Sequence, residues 1–269
     1  MGMHKPAGFT IVETMLFLGI SSVLIVALIA STGASVNIQR YRDAAETFKS
    51  VIQQQYADLT SVQNGRGDNW SCGSTAIPNT SGINADNRGQ SNCILLGKYV
   101  RLEGEKISIY RVVGYKSSAT SQPNDIKSLK NNYLLNVSGA EVDKSTQEWG
   151  AEIAYPRTIN GSPNPAPITP RKMGILIVRS PDSGQIYTFT NAGTDVPDDL
   201  NIGPATFNSM LVAEPSTPGQ GEQLICLSSG GFLEDDDRAV YISSFAATSS
   251  AIELRTNDYL SSIGSSTRC

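Results

Sequence analysis

Between Thr14 and Gln39 the chain carries no ionisable side chain, and Glu13 stands at the leading edge of this apolar run. The stretch is long enough to cross a hydrocarbon core, which takes about 20 residues. It must therefore lie in lipid or be buried against other protein. A secretory signal would place its small-residue cleavage site after the apolar core and be discarded there. Here the small residue, Gly8, precedes the run, so the segment is expected to stay on the mature chain. Glu13 then poses a problem, because a carboxylate at membrane depth is expensive and calls for a partner or a function.

Beyond the run, Val36, Tyr41, Ala44, Ala45, Phe48, Val51, Ile52, Tyr56, Leu59 and Val62 recur at spacings of three and four. Charged and amide side chains stand between them, so the spacing predicts an amphipathic helix with one apolar stripe. No proline interrupts residues 9 to 63, and Asn64-Gly65 is a fitting stop. A single helix of roughly 80 Å is expected at 1.5 Å per residue. It divides into a transmembrane or polymerisation half, residues 9 to 35, and an amphipathic half, residues 36 to 63.

From residue 64 to 269 the composition turns to Gly, Asn, Ser and Thr with short apolar runs. Residues 64 to 92 read as a long exposed loop. CILLGKYVRL and KISIYRVVGYK, joined through Glu103-Gly104-Glu105, predict a hairpin. NYLLNVS and EIAYPRTI read as strands, and residues 160 to 172 as a proline-rich loop. MGILIVRS and QIYTFT flank a Pro-Asp-Ser-Gly turn and form the clearest hairpin. TDVPDDLNIGPATFNSM reads as a second loop, and GEQLICLSS, RAVYISSF and AIELRT as closing strands. The expected class is α+β: a long N-terminal helix packed on a single, mostly antiparallel β head.

Several function classes lose support. A net charge of −4 provides no field for nucleic acid, and no motif marks a small-molecule substrate. The one histidine, His4, lies in the leading stub, so a chain trimmed at Gly8 lacks any Ser-His or Cys-His pair, and an enzyme is not expected. Cys72, Cys93, Cys226 and Cys269 lack metal-site spacing. An even count in an exported chain favours two disulfides, with Cys72–Cys93 and Cys226–Cys269 preferred among three pairings. No cofactor is expected. Glu234 with Asp235, Asp236 and Asp237 is a weak Ca²⁺ candidate lacking the EF-hand pattern, and Asp195, Asp198 and Asp199 form another. Trp70 and Trp149 read as packing residues. Arg66-Gly67-Asp68 and the sequons at Asn79, Asn136 and Asn160 are short enough to arise by chance.

Gly8-Phe9-Thr10-Ile11-x-Glu13 before a membrane-length run resembles the leader of type IV pilins and the related pseudopilins. The resemblance rests on about the first tenth of the chain. It implies a leader over residues 1 to 8, cleavage between Gly8 and Phe9 by a prepilin peptidase, and N-methylation of Phe9. Glu13 would then be the acid that meets the new amine of a neighbouring subunit. It also implies a pilin-like fold, with residence in the inner (cytoplasmic) membrane before assembly and in an extracellular pilus afterwards. The partners would be other pilin subunits and the pilus assembly platform. Many pilins carry a proline in the apolar half, where this chain has only Gly19 and Gly33. The closing strands (224–228, 238–242 and 252–255) loosely resemble minor-pseudopilin and FimT-like heads. The reading that follows is a minor pilin with an adhesive or assembly-initiating role. Its rivals are a pseudopilin of a type II secretion or DNA-uptake machine and a monomeric membrane-anchored binding module.

Overall fold

The computed structural model describes residues 10–61, 71–79, 91–154, 157–158, 172–192, 195–211, 223–228, 238–243, 246–262 and 267–268. In chain order the elements begin with helix α1 (Ile11–Thr60), strands β1 (Ser71–Cys72), β2 (Pro78–Asn79), β3 (Cys93–Glu103) and β4 (Lys106–Lys116), and helix α2 (Asp125–Asn132). Then come β5 (Tyr133–Thr146), β6 (Glu152–Ala154), β7 (Arg157–Thr158), β8 (Lys172–Arg179) and β9 (Ile186–Ala192). Helix α3 (Pro204–Met210), β10 (Gln223–Ser228), β11 (Arg238–Ile242), β12 (Ile252–Thr256), α4 (Asn257–Ser262) and β13 (Thr267–Arg268) complete the chain. It divides into two compact units after Asp43. The class is α+β, with one long N-terminal helix and antiparallel sheets.

The unit from Ala44 onward is organised by a five-stranded sheet of order β5-β4-β3-β8-β9, every neighbour antiparallel. Side chains alternate between its two faces, and the register sorts them cleanly. Val100, Leu102, Ile109, Ile175 and Ile177 are buried on the face that α1 covers. From α1 come Ala44, Ala45, Phe48, Ile52, Tyr56 and Leu59, all buried at the three-and-four spacing of one helical stripe. Each such Ile or Phe stabilises the fold by roughly 1.5–3 kcal/mol through removal from water.

Polar groups fix the helix on that face. The buried Lys98 Nζ donates to Gln55 Oε1 at 3.0 Å and forms an ion pair with Asp58. Tyr56 Oη and Thr188 Oγ1 are 2.7 Å apart, and Thr188 donates to the Ala246 carbonyl at 2.7 Å. Burial pushes the Tyr56 hydroxyl up to about 12, partly countered by Thr188.

The opposite face holds a core of Tyr99, Tyr110, Leu176, Val178 and Phe189 beneath Leu129 of α2 and Phe207 of α3. Phe207 meets the Tyr99 ring edge-on, with centroids 5.6 Å apart. Gly174 is required beside Tyr99, since a Cβ there would stand 2.2 Å from the tyrosine hydroxyl. A four-stranded antiparallel sheet, β12-β11-β10-β6, carries the closing strands, and β1-β2 and β7-β13 form two-stranded ribbons.

The two principal hairpins lie where the turn residues predict them. The β3–β4 turn places Gly104 at φ +56° and the β8–β9 turn places Gly184 at φ +79°, conformations that suit glycine. Four expectations need correction. Residues 64 to 92 are not simply an exposed loop, because β1 and β2 pair within them and Cys72 and Ala76 are buried. NYLLNVS is not wholly strand: Asn132 ends α2, whose first turn is capped by Asn124 Oδ1 accepting from Lys127 N at 2.8 Å. EIAYPRTI is not one strand, because its described ends join different sheets. TDVPDDLNIGPATFNSM is no plain loop either. It contains a 3₁₀ turn at Asp199–Asn201 and helix α3, ordered because Phe207 is fully buried.

Candidate functional site

Thr10 precedes α1 and its Oγ1 accepts the Glu13 N–H at 3.3 Å. A Thr followed three residues later by Glu is the pattern of a capping box, in which the cap hydroxyl satisfies an orphan donor of the first turn. Glu13 thus stands in the first turn, where a carboxylate also meets the positive end of the helix dipole. Its side chain is exposed.

From Ile11 through Ile29 every large apolar side chain points outward, from 55% exposed at Ile20 to 76% at Ile11. That separates the segment from the core helix of a soluble domain, which hides its apolar window. The segment is long and apolar enough to cross a membrane, and none of the qualifying window is buried within the chain. Four of its hydroxyls bond back onto the helix. Thr14 donates to Ile11 O at 2.8 Å, Ser22 to Gly19 O at 2.8 Å, Thr32 to Leu28 O at 2.9 Å and Ser35 to Ser31 O at 3.1 Å. In hydrocarbon, polar groups must be satisfied within the segment, and these are.

A second constellation was not anticipated as a unit. At the end of the α3-covered face of the five-stranded sheet, Arg101 Nη1 lies 2.9 Å from Asp199 Oδ1, and its Nη2 lies 2.8 Å from Glu103 and 3.6 Å from Asp198. Lys172 Nζ holds Asp198 at 2.5 Å and Glu103 at 3.5 Å, and Lys144 reaches Asp199 at 3.6 Å. Arg101 Nε also donates to the Pro197 carbonyl at 3.0 Å. Lys172 holds the Asp198 carboxyl below its usual range, and the lysine is raised in turn. The neighbouring Tyr110 hydroxyl, and then Arg101 and Lys144, hold the Asp199 carboxyl below its usual range.

This clasp corrects the reading of Asp195, Asp198 and Asp199 as a cation site. The carboxylates of Asp198 and Asp199 face Arg101, Lys144 and Lys172, and no metal-holding group of His, Cys, Asp and Glu occurs among the described residues. The signal was present in the alternation of strand side chains, since Arg101, Glu103 and Lys172 share one face. Recognising it required knowing that β8 lies beside β3.

Cys72 and Cys93 are disulfide-bonded with Cα atoms 5.7 Å apart, as expected. Cys226 is buried and also disulfide-bonded, while Cys269 lies outside the described residues. So do Gly8, Phe9, Trp70, Arg66-Gly67-Asp68, Glu234, Asp235, Asp236 and Asp237. Asn136, offered as a sequon asparagine, is buried with its amide committed to Thr75 O and Val137 N, so the folded chain cannot present it. Trp149, expected to pack, is 58% exposed on a 3₁₀ turn with φ +58°. Comparison with protein-family models, curated proteins and solved structures finds no match for this chain.

Proposed function

We propose that the chain is a structural subunit of a type IV pilus or related filament, cleaved after Gly8 and assembled through its N-terminal helix. The observation that carries this reading is the outward-facing apolar half of α1 with Glu13, its one ionisable group, in the first turn. So apolar a surface must stay in lipid or pack against sister helices. Cleavage between Gly8 and Phe9 creates an amine near the capped first turn. Pairing that amine with Glu13 of a neighbour turns two costly groups into one satisfied site and sets the register between subunits. The head beyond the helix makes a minor pilin, with an adhesive or assembly-initiating role, the favoured form of this proposal.

Shearing surface filaments and quantifying this chain among their components tests the proposal. Trace incorporation matches a minor pilin and dominance a major one. Retention in the membrane while filaments form normally would overturn the pilus assignment in favour of a pseudopilin or a monomeric anchored module. Glu13→Ala is expected to insert normally and to incorporate at a small fraction of the wild-type level, whereas undiminished incorporation refutes the assembly role of Glu13.

A further inference from the structure

Between α1 and the closing hairpin lies a surface cleft of about 430 Å³ lined by Lys49, Gln53, Ser250, Glu253, Arg255 and Tyr259, with Ile252 and Leu254. This is the range of small-molecule sites. Gln53 Nε2 donates to the carbonyls of Ser249 at 3.1 Å and Ile252 at 3.2 Å, which ties helix to hairpin there. Arg255 stacks its guanidinium over Tyr241, 3.3 Å from the ring centroid, and stands 5.3 Å from the Tyr259 ring. A planar cation held on an aromatic face is preorganised in a way a lysine is not.

The donors are only partly used. Arg255 Nε and Nη2 both bond to one oxygen, Glu253 Oε2, at 3.1 and 2.9 Å. No acceptor among the described residues bonds to Arg255 Nη1, and no donor there bonds to Glu253 Oε1. Lys49 Nζ engages Glu46 at 3.1 Å, and Glu46 is more than half exposed. An exposed pair of this kind is weak and leaves other ammonium protons available. With both glutamates counted the local charge is balanced, so an anion here is held by the open guanidinium and ammonium donors rather than by a net positive field.

We propose that this cleft binds an acidic sugar residue, a pyranose bearing one carboxylate. The carboxylate lies against the Arg255 Nη1 edge and Lys49, in the geometry that guanidinium and carboxylate share. Glu253 Oε1 accepts a ring hydroxyl. The Tyr259 ring, 46% exposed, offers its apolar face to the C–H face of the sugar. A bare carboxylate would engage the cations but leave Glu253 Oε1 and the tyrosine without a counterpart. The site lies wholly in the unit from Ala44 onward and does not depend on whether the chain enters a filament.

The test is saturation-transfer NMR on the full chain in detergent micelles, titrated with glucuronic acid and, separately, with glucose and acetate. Glucuronic acid should bind with both controls at least tenfold weaker, and Arg255→Gln should weaken it by roughly tenfold or more, the usual cost of losing a charged hydrogen bond. Because Arg255 also packs on Tyr241, Lys49→Gln and Tyr259→Ala serve as surface variants. Each should weaken binding severalfold without moving the melting curve. No transfer to glucuronic acid overturns the proposal. Equal binding of acetate or of glucose overturns the acidic-sugar assignment, and full binding by both surface variants refutes this location.

Discussion

Phe17 and Phe48 are the same residue type in the same helix, yet Phe17 is 70% exposed and Phe48 is 1% exposed. The two halves of α1 reach one secondary structure by different routes. In the first half the helix's own backbone and the hydroxyls of Thr14, Ser22, Thr32 and Ser35 are satisfied within the segment, so helicity needs no neighbour in the same chain. In the second half the helix is held by a stripe seated on a sheet and by Lys98 reaching across from β3. Half of the helix is therefore a surface for an external environment, and the other half is a structural member of the head.

Phe48→Ala should produce the largest break in this contrast. Truncation at a fully buried site removes transfer energy and leaves a cavity, for an expected loss of about 3–5 kcal/mol in chemical denaturation of the micelle-held chain. Phe17→Ala should leave the head's unfolding midpoint where it is. Equal sensitivity at the two positions would erase the distinction.

The Lys98–Asp58 pair sharpens it at a smaller scale. Asp58→Ala strands an ammonium whose side chain is 11% exposed, and a cost of about 2 kcal/mol is expected, reduced from the fully buried case because Asp58 is itself partly solvated. Lys98→Met should cost less, since no buried charge is left behind. Denaturation midpoints of the two variants, compared directly, decide the order.

A further contrast is with pH. The Tyr56 hydroxyl has a folded value raised to about 12 from an ordinary 10.0. Its contribution is complete below pH 10 and is lost as pH rises toward 12, because the unfolded chain releases that proton first. Stability should fall over this window, and Tyr56→Phe should flatten part of the fall. A profile for Tyr56→Phe identical to wild type would contradict the buried hydroxyl. At the other extreme, the lowered Asp198 and Asp199 carboxyls stabilise the clasp above the ordinary carboxylate value, and this is lost as pH falls through their depressed values.

Much of this architecture was legible in local pattern. The helix, the β3–β4 and β8–β9 hairpins, the closing strands and the Cys72–Cys93 bridge each rest on periodicity, turn chemistry or close cysteine spacing. Helices α2 and α3 were less legible. Each is a single short, polar turn or two, stabilised by burying Leu129 or Phe207 rather than by its own propensity. Asn124 as an N-cap was the available signal for α2, and Pro204 in the first turn of α3 the signal there.

What the sequence determined by itself is whatever depends on neighbours within a few residues: an apolar run with one carboxylate at its front, an amphipathic continuation, and turns that reverse a strand on itself. What only the tertiary structure decided is the order of strands, which sets β8 against β3 across an interval of some seventy residues. That adjacency brings Arg101, Glu103 and Lys172 to one sheet end, lays Lys98 under α1, and folds the closing hairpin beside Gln53 to open the cleft. Register and face are collective properties of a folded sheet, and no local pattern in the chain encodes them alone.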